Sequence, residues 1–463
     1  MEINDLENNL DTSTFKYNDF NPWPFIKFKL IRKSRFNKSQ NNFNHNREIT
    51  KEKLSGRLLR LIYSLIDLII KPIKKGKVDI LYFTKSSEFK KNSDNKLYNE
   101  YLDPLVNFVG NEISIKILEI NNTQSLIKRD LENSNHILLN SILEWSLIKT
   151  KLKNIFGKKK ININQSLFND KIDIVNLEKE LFLLNEISKN FEIILKKLNP
   201  KVVYLVCFYD MYSMAMSLAC HRHKIKVIEY QHGFLNDYYS MHQNWKNIPH
   251  KGYELVPDIF WMWSKEDKEK IDKWTNKTSK HKAIVGGNMW ISHNKKINTY
   301  NKFKNQNGKK NILVILQYSP LPEFFINFLK TNKENFNWYF RKHPLHPIPQ
   351  SLKEFLETYS YESIEVTSNR NLYETFNFID VNITLYSSVG FEAQCFHVPS
   401  IFMGEIAKYS FKKFLGKNGL FYANNENDLN YYLINLENIS KIDSFHILFD
   451  EDKIIKHIKS SIK

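Results

Sequence analysis

The stretch from Val202 to Gly233 constrains the fold more than any other. Val202-Val-Tyr-Leu-Val-Cys-Phe208 is apolar throughout, as in a strand covered on both faces. Asp210 to His223 reads as a helix, and Lys226-Val-Ile-Glu-Tyr230 as a second strand that breaks at Gln231-His232-Gly233. Strand, helix and strand within about 30 residues make a βαβ unit, which requires a parallel sheet with helices packed on it.

The same grammar recurs on both sides. Val78-Asp-Ile-Leu-Tyr-Phe83 predicts a strand that ends in the polar Thr84-Lys-Ser-Ser87, and Ala283-Ile-Val285 predicts another that ends at Gly286-Gly-Asn288. Residues 131–198 carry helix-period patterns. His293 to Lys310 is polar and rich in Asn and Lys, as an interdomain linker is. A second series follows: strands at Asn311–Leu316, Trp338–Phe340, Ile364–Val366, Val381–Leu385 and Ser400–Phe402, with a helix at Pro322–Thr331. Helices from Leu429 onward are expected to close this second unit and to pack back on the first. A chain of 463 residues accommodates two domains, each with its own core. The expectation is an α/β protein of two tandem domains with a cleft between them. Residues 1–50 form a loosely ordered arm, 51–295 the first domain, 305–440 the second, and 441–463 a helical tail.

Charge narrows the partners. The formal net charge of +18 suits anions: phosphorylated substrates, an anionic membrane or nucleic acid. No zinc-finger, RNA-recognition or helix-turn-helix signature accompanies it, so nucleic acid is not expected. Between Leu54 and Lys71 the polar residues Arg57, Arg60, Ser64, Asp67 and Lys71 step by 3, 4, 3 and 4, one narrow stripe on an otherwise apolar helix flanked by lysines. Such a helix either packs against a domain, the preferred reading, or lies on an anionic bilayer. The acidic, polar Met1 to Asp11 is no signal peptide, and no apolar run reaches the roughly 20 residues of a membrane span. Cys207, Cys220 and Cys395 form no CxxC pair, which argues for a reducing compartment and against structural zinc. The expected location is the cytoplasm, with contact to the inner face of the plasma membrane as the alternative that the 54–71 helix leaves open.

Ligands of parallel sheets bind beyond the carboxyl ends of the strands, and the chemistry-bearing residues fall there. Arg341-Lys342-His343-Pro344 follows one strand. Leu385-Tyr-Ser387-Ser388-Val-Gly390-Phe-Glu392 follows another and opens a helix. Two hydroxyls and a glycine at a helix start suit a phosphate, with Arg341 and His343 as further donors and Glu392 as an acceptor for ribose hydroxyls. In the first domain, Glu229-Tyr-Gln231-His232-Gly233 places an imidazole at a strand-to-loop corner, where it suits a general base. A structural histidine beside a turn glycine remains the alternative there. Asp210 and Glu229 are the rival bases. Gln231, Gly233 and Asn288 are candidate substrate contacts, with Thr84, Ser86, Ser87, His242 and Trp290 in weaker support. Trp261-Met-Trp263 reads as core. No DxD motif or His/Cys cluster of ligand spacing appears, so no metal and no cofactor beyond the donor itself are expected.

Arg-Lys-His-Pro followed by Ser-Ser-Val-Gly-Phe-Glu-Ala resembles the His-Pro and Ser-Ser motifs of bacterial sialyltransferases and Kdo transferases. Those enzymes have the GT-B architecture of two Rossmann-like domains. Similar segments occur in capsule and lipopolysaccharide biosynthesis proteins and in the CDP-glycerol glycerophosphotransferases of teichoic acid synthesis. The resemblance covers mainly residues 200–405. It implies that His343, Pro344, Ser387 and Ser388 bind the nucleotide phosphate of a CMP- or CDP-activated donor. The sialyltransferases carry an acidic pair before the first-domain glycine. Here the residues are Gln231-His232, closer to the glycerophosphotransferases, in which the histidine is thought to be the base.

The resulting expectation is a metal-independent glycosyltransferase. It moves a sugar, with a CMP-linked Kdo or nonulosonic acid preferred, onto a growing lipid-linked or oligosaccharide acceptor of a surface glycan. A polyol-phosphate transferase using CDP-glycerol, a nucleotide-sugar epimerase and a non-catalytic assembly subunit are the alternatives.

Overall fold

A computed structural model describes residues 7, 10–40, 76–91, 97–120, 136–139, 146, 149–150, 173–235, 241–297, 308–317, 319–343, 348, 350–358, 371–436, 442 and 444–463. The helix expected over 54–71, the strand expected at 364–366 and Pro344 lie outside these residues.

The described strands, in chain order, are β1 (Ile80–Lys85), β2 (Lys90–Lys91), β3 (Leu97–Tyr98), β4 (Ile115–Ile120), β5 (His136–Leu139), β6 (Val202–Val206), β7 (Lys226–Tyr230), β8 (Ile259–Met262), β9 (Lys282–Val285), β10 (Asn311–Ile315), β11 (Asn337–Arg341), β12 (Val381–Thr384), β13 (Ser400–Phe402) and β14 (Leu420–Tyr422). They form two parallel sheets, ordered β5-β4-β1-β6-β7-β8-β9 and β11-β10-β12-β13-β14, and a small antiparallel pair, β2-β3. Both large sheets are doubly wound. The first runs outward from β1 to β5, returns beside β1 as β6, and runs outward the other way. The second does the same about β10 and β12. The expected pair of Rossmann-like α/β domains is what the chain forms.

Each sheet is apolar on both faces because each is covered on both faces. In the first, Leu81, Phe83, Val203 and Leu205 meet the helices Ile174–Leu198 and Met211–Arg222. Along the longer helix, Leu177, Leu181, Leu184, Phe191, Ile194 and Leu195 repeat at helical spacing, and Asp173 caps its start through Asn176 N. Phe191 packs edge-on against Phe83 with centroids 5.4 Å apart. Ile80, Tyr82, Val202 and Tyr204 face the other way, onto the helix Leu102–Val109.

The helix Glu451–Ser461, which follows the second domain in sequence, covers that same face. Ser461 Oγ and Tyr204 Oη are 2.9 Å apart, Lys459 reaches Glu112 at 2.8 Å, and His457 packs edge-on against Trp261. Gly286 lies flat on the buried Trp261. A Cβ there would come within 2.0 Å of the indole, so this glycine is set by packing.

Three expectations need correction. Residues 10–40 are no loose arm. Trp23, Phe25 and Ile26 are buried in the first domain's core, Arg222 holds Asp19 at 2.6 Å, and Lys27 is enclosed by Glu7, the carbonyls of Gln243 and Asn244, and the ring of Trp245. Burial draws Lys27 down to about 8 against the pull of Glu7. The Asn-rich composition hid a few large apolar anchors that outweigh it. Secondly, the stretch read as linker from His293 begins as the end of a helix, Met289–Ile297. Thirdly, His136–Leu139 is an edge strand where a helix pattern was read.

Candidate active site at the interdomain seam

In a doubly wound sheet the loops diverge where the winding reverses, and that crevice is where ligands bind. The first domain's switch point lies between β1 and β6. Lys85 ends β1, and its Nζ is 2.6 Å from Asp210 Oδ2, beyond β6, and 3.9 Å from Glu88. Burial alone would lower Lys85, but the two carboxylates override it and hold the ammonium above its usual range. Glu88 accepts a 2.8 Å hydrogen bond from Thr84 and is pushed up to about 7 by burial, against the opposing pull of Lys85. Between β6 and Asp210, Cys207 adopts a left-handed φ of 58°, a strain of roughly 1–3 kcal/mol that clusters at functional sites. Burial pushes its thiol up to about 12.

His232 lies one strand further along, after β7. Its Nε2 is 3.2 Å from the Tyr209 hydroxyl, and its carbonyl accepts from Tyr101 at 3.4 Å. Burial, reinforced by the neighbouring His242, draws the imidazole down to about 4, with Glu229 opposing. His232 is therefore neutral throughout the physiological range.

The rival bases are otherwise engaged. Glu229 is fully buried beneath the loop, where it accepts from Phe208 N at 3.1 Å and faces His242 Nε2 at 3.0 Å. Asp210 caps the helix Met211–Arg222, accepting from Tyr212 N, Ser213 N and Ser213 Oγ besides its Lys85 pair. Both carboxylates are already held by protein donors. Gln231 is likewise structural. It is buried, donates to Asp267 and to Gly233 O, and accepts from Trp263 N. Asn288 is buried and caps the helix that follows it, through Ile291 N. Thr84 and Ser86 bond to Glu88 and Glu119, and the Ser87 side chain lies outside the described residues.

The second switch point lies between β10 and β12. Gln317, after β10, accepts from Tyr386 N at 2.8 Å and Thr384 Oγ1 at 3.3 Å, tying the two diverging loops. Ser387 Oγ accepts from Val389 N, and Ser388 Oγ donates to Glu392. Glu392 also accepts from Tyr373 at 2.5 Å, so its carboxylate is held by protein hydroxyls. Gly390 is corrected too: the space of its missing Cβ is filled by Phe402, 2.3 Å away, so packing requires this glycine. The helix that follows, Val389–Gln394, is only six residues long. Arg341 and His343 are half-buried at the end of β11 and just beyond it.

The two switch points meet. Arg341 of the second domain lies within electrostatic reach of Tyr98 and Glu100 of the first. Tyr101, which holds the His232 carbonyl, lies within reach of Glu392. Trp290 stacks on Tyr98 with centroids 5.6 Å apart and tilts against Tyr373. Arg341 and Glu392 thus stand within electrostatic reach of first-domain residues, and His343, Ser387 and Ser388 belong to the same carboxyl edge of the second sheet. Glu229, Gln231 and Asn288 are buried among protein partners, and Asp210 pairs with Lys85. Sequence reasoning missed Lys85, Glu88, Tyr101 and Tyr209. The first two sit in or beside the polar loop after β1, where position at a switch point was the available signal. Tyr209, beside Asp210, carried none. Among the described residues, no group of three His, Cys, Asp or Glu side chains is placed to hold a metal ion.

Two Rossmann-like domains that join carboxyl edge to carboxyl edge are the arrangement called GT-B. No family model matches the chain, and no curated protein does. Among solved structures it is similar to a UDP-GlcNAc 2-epimerase from Neisseria meningitidis bound to UDP-GlcNAc, at 14% identity over 82% of this chain and 99% of that one, with a TM-score of 0.48. It is also similar to S. aureus MnaA with UDP, at 16% identity over 83% and 96%, TM-score 0.48. A third likeness is the wall teichoic acid polymerase TagF, a histidine-to-asparagine variant soaked with CDPG, at 13% identity over 89% and 98%, TM-score 0.43.

Proposed function

We propose that this chain is a transferase that moves a sugar from a nucleotide-activated donor to an acceptor hydroxyl, with the donor phosphates on the second domain. One observation carries the reading: the carboxyl edge of the second sheet, with Arg341 and two serine hydroxyls, faces the carboxyl edge of the first, where His232 follows β7. Arg341, His343, Ser387 and Ser388 offer donors for a departing phosphate. The acceptor oxygen bonds to the donor carbon while the carbon–phosphate oxygen bond breaks. The electron pair leaves on the phosphate, and the acceptor proton passes to His232. The preferred donor is a CMP-linked 2-keto acid such as Kdo or a nonulosonic acid, and the acceptor a growing surface glycan. No described helix is long and apolar enough to cross a membrane.

Substituting Ser387 and Ser388 together by alanine tests the donor site. Loss of hydrogen bonds to a charged group costs roughly 1.5–3 kcal/mol, so nucleotide affinity should fall at least about tenfold. Calorimetric titration of the folded variant with CMP, CDP and UDP measures it, and unchanged affinity rejects the assignment.

Glu88 gives a second reading of the base, because its carboxyl is poised near neutrality. The pH dependence of kcat/KM separates the two. His232 acts unprotonated, so with His232 as base the rate is flat across neutral pH and falls only as pH drops through about 4. Glu88 acts ionised, so with Glu88 as base the rate climbs as pH rises through about 7. A second reading of the chemistry, polyol-phosphate transfer, is favoured by His232 standing where the sialyltransferases carry an acidic pair. Donor turnover assays with CMP-sugars and CDP-glycerol distinguish them.

A further inference from the structure

The loop that bears His232 is fastened to both domains. At its stem, Gln231 ties it to the helix Lys265–Thr275 through Asp267, at 2.6 Å. At its tip, Phe234 crosses the seam. Its ring lies parallel to Phe391 of the second domain, with centroids 4.0 Å apart and planes 4° from parallel. Phe411 and Phe414 stand edge-on to it at 5.8 and 5.6 Å, closing an aromatic socket. From the first domain, Lys270 sits 5.3 Å over the ring and donates to Leu235 O. Phe234 is 3% exposed, so the socket encloses it. Phe391 is adjacent to Glu392 and belongs to the helix that begins beside Ser388.

We infer that Phe234 is a positioning residue that registers His232 against the second domain's donor site. His232 is two residues from a ring seated in the very helix that bears Glu392. The loop cannot shift relative to Ser388 without pulling that ring from its socket. Stacked and edge-on aromatic pairs stabilise a ring beyond its burial, which favours one loop position over neighbouring ones. The first-domain groups Lys85, Glu229 and His242 lie within electrostatic reach of the imidazole, so a shift of the loop would change its surroundings. This inference rests on the transferase reading for its kinetic consequence, but its structural consequence does not.

The experiment pairs two measurements on Phe234→Ala and the milder Phe234→Leu. In protein labelled at histidine, the NMR titration of His232, identified by its loss in His232→Asn, reports the loop directly. The imidazole should titrate at higher pH in Phe234→Ala, toward its ordinary value near 6.5, and in between in Phe234→Leu. In turnover assays kcat should fall about tenfold or more, since misplacement by an ångström can cost a hundredfold, while nucleotide affinity stays within about twofold. Lys295→Met removes another contact across the seam, Lys295 Nζ to Cys395 O, and should leave both readouts as in the wild type. An unchanged His232 titration in the folded Phe234 variants overturns the inference, whatever kcat does. Equal losses in Lys295→Met also overturn it, because any seam contact would then serve. Should the wild type turn over no donor, the transferase reading fails, and the titration still decides the role of Phe234.

Discussion

His232→Ala should lower turnover by about two orders of magnitude or more while leaving nucleotide affinity near wild type. Positioned bases contribute roughly 10²–10⁴ in rate. The imidazole belongs to the first domain, and the donor phosphates are assigned to the second, so removing it should spare donor binding. Steady-state kinetics with calorimetric titration of the nucleotide make the test. Normal turnover would make His232 structural and leave Glu88 as the base. Loss of nucleotide binding would make His232 a phosphate ligand.

Glu229→Ala should act in the opposite way, through stability. The carboxylate is fully buried, accepts from Phe208 N, and faces His242, itself 1% exposed. Truncation removes the acceptor of the buried Phe208 N–H and the carboxylate that faces the buried His242 ring. Leaving a buried polar group unsatisfied costs about 1–3 kcal/mol, an appreciable part of a domain's margin. Urea unfolding followed by tryptophan fluorescence should show a lowered midpoint, with Glu229→Gln in between. A wild-type midpoint in Glu229→Ala would mean that the carboxylate is hydrated and free to act on substrate.

The legible parts of this fold were those that local pattern dictates. β7 and β13 coincide with the expected spans, and β6, β10 and β12 fall within a residue or two. Their all-apolar runs leave little choice of structure. β4 carries Lys116 and Glu119 within Ile115–Ile120, and the buried carboxylate meets a tertiary partner, Ser86, that local pattern does not reveal. The same limit governs the site. A strand end can be recognised in sequence, so His232, Ser387 and Arg341 stood out. Whether a polar residue at that end faces substrate or protein depends on neighbours distant in sequence. Asp210 was committed to a helix cap, Gln231 to Asp267, and Gly390 to the face of Phe402. The Lys85–Asp210 pair spans 125 residues and becomes visible only when β1 and β6 lie side by side.

The helix Glu451–Ser461 sets an order of events during synthesis. It covers one face of a sheet whose last strand, β9, ends at Val285, so a nascent first domain emerges with Tyr204 and Trp261 uncovered on that side. At roughly 5–20 residues per second, the ribosome needs on the order of 10–30 s to deliver the missing helix. Through that interval the second domain must be made while the first waits with an open apolar face, the kind of surface chaperones bind.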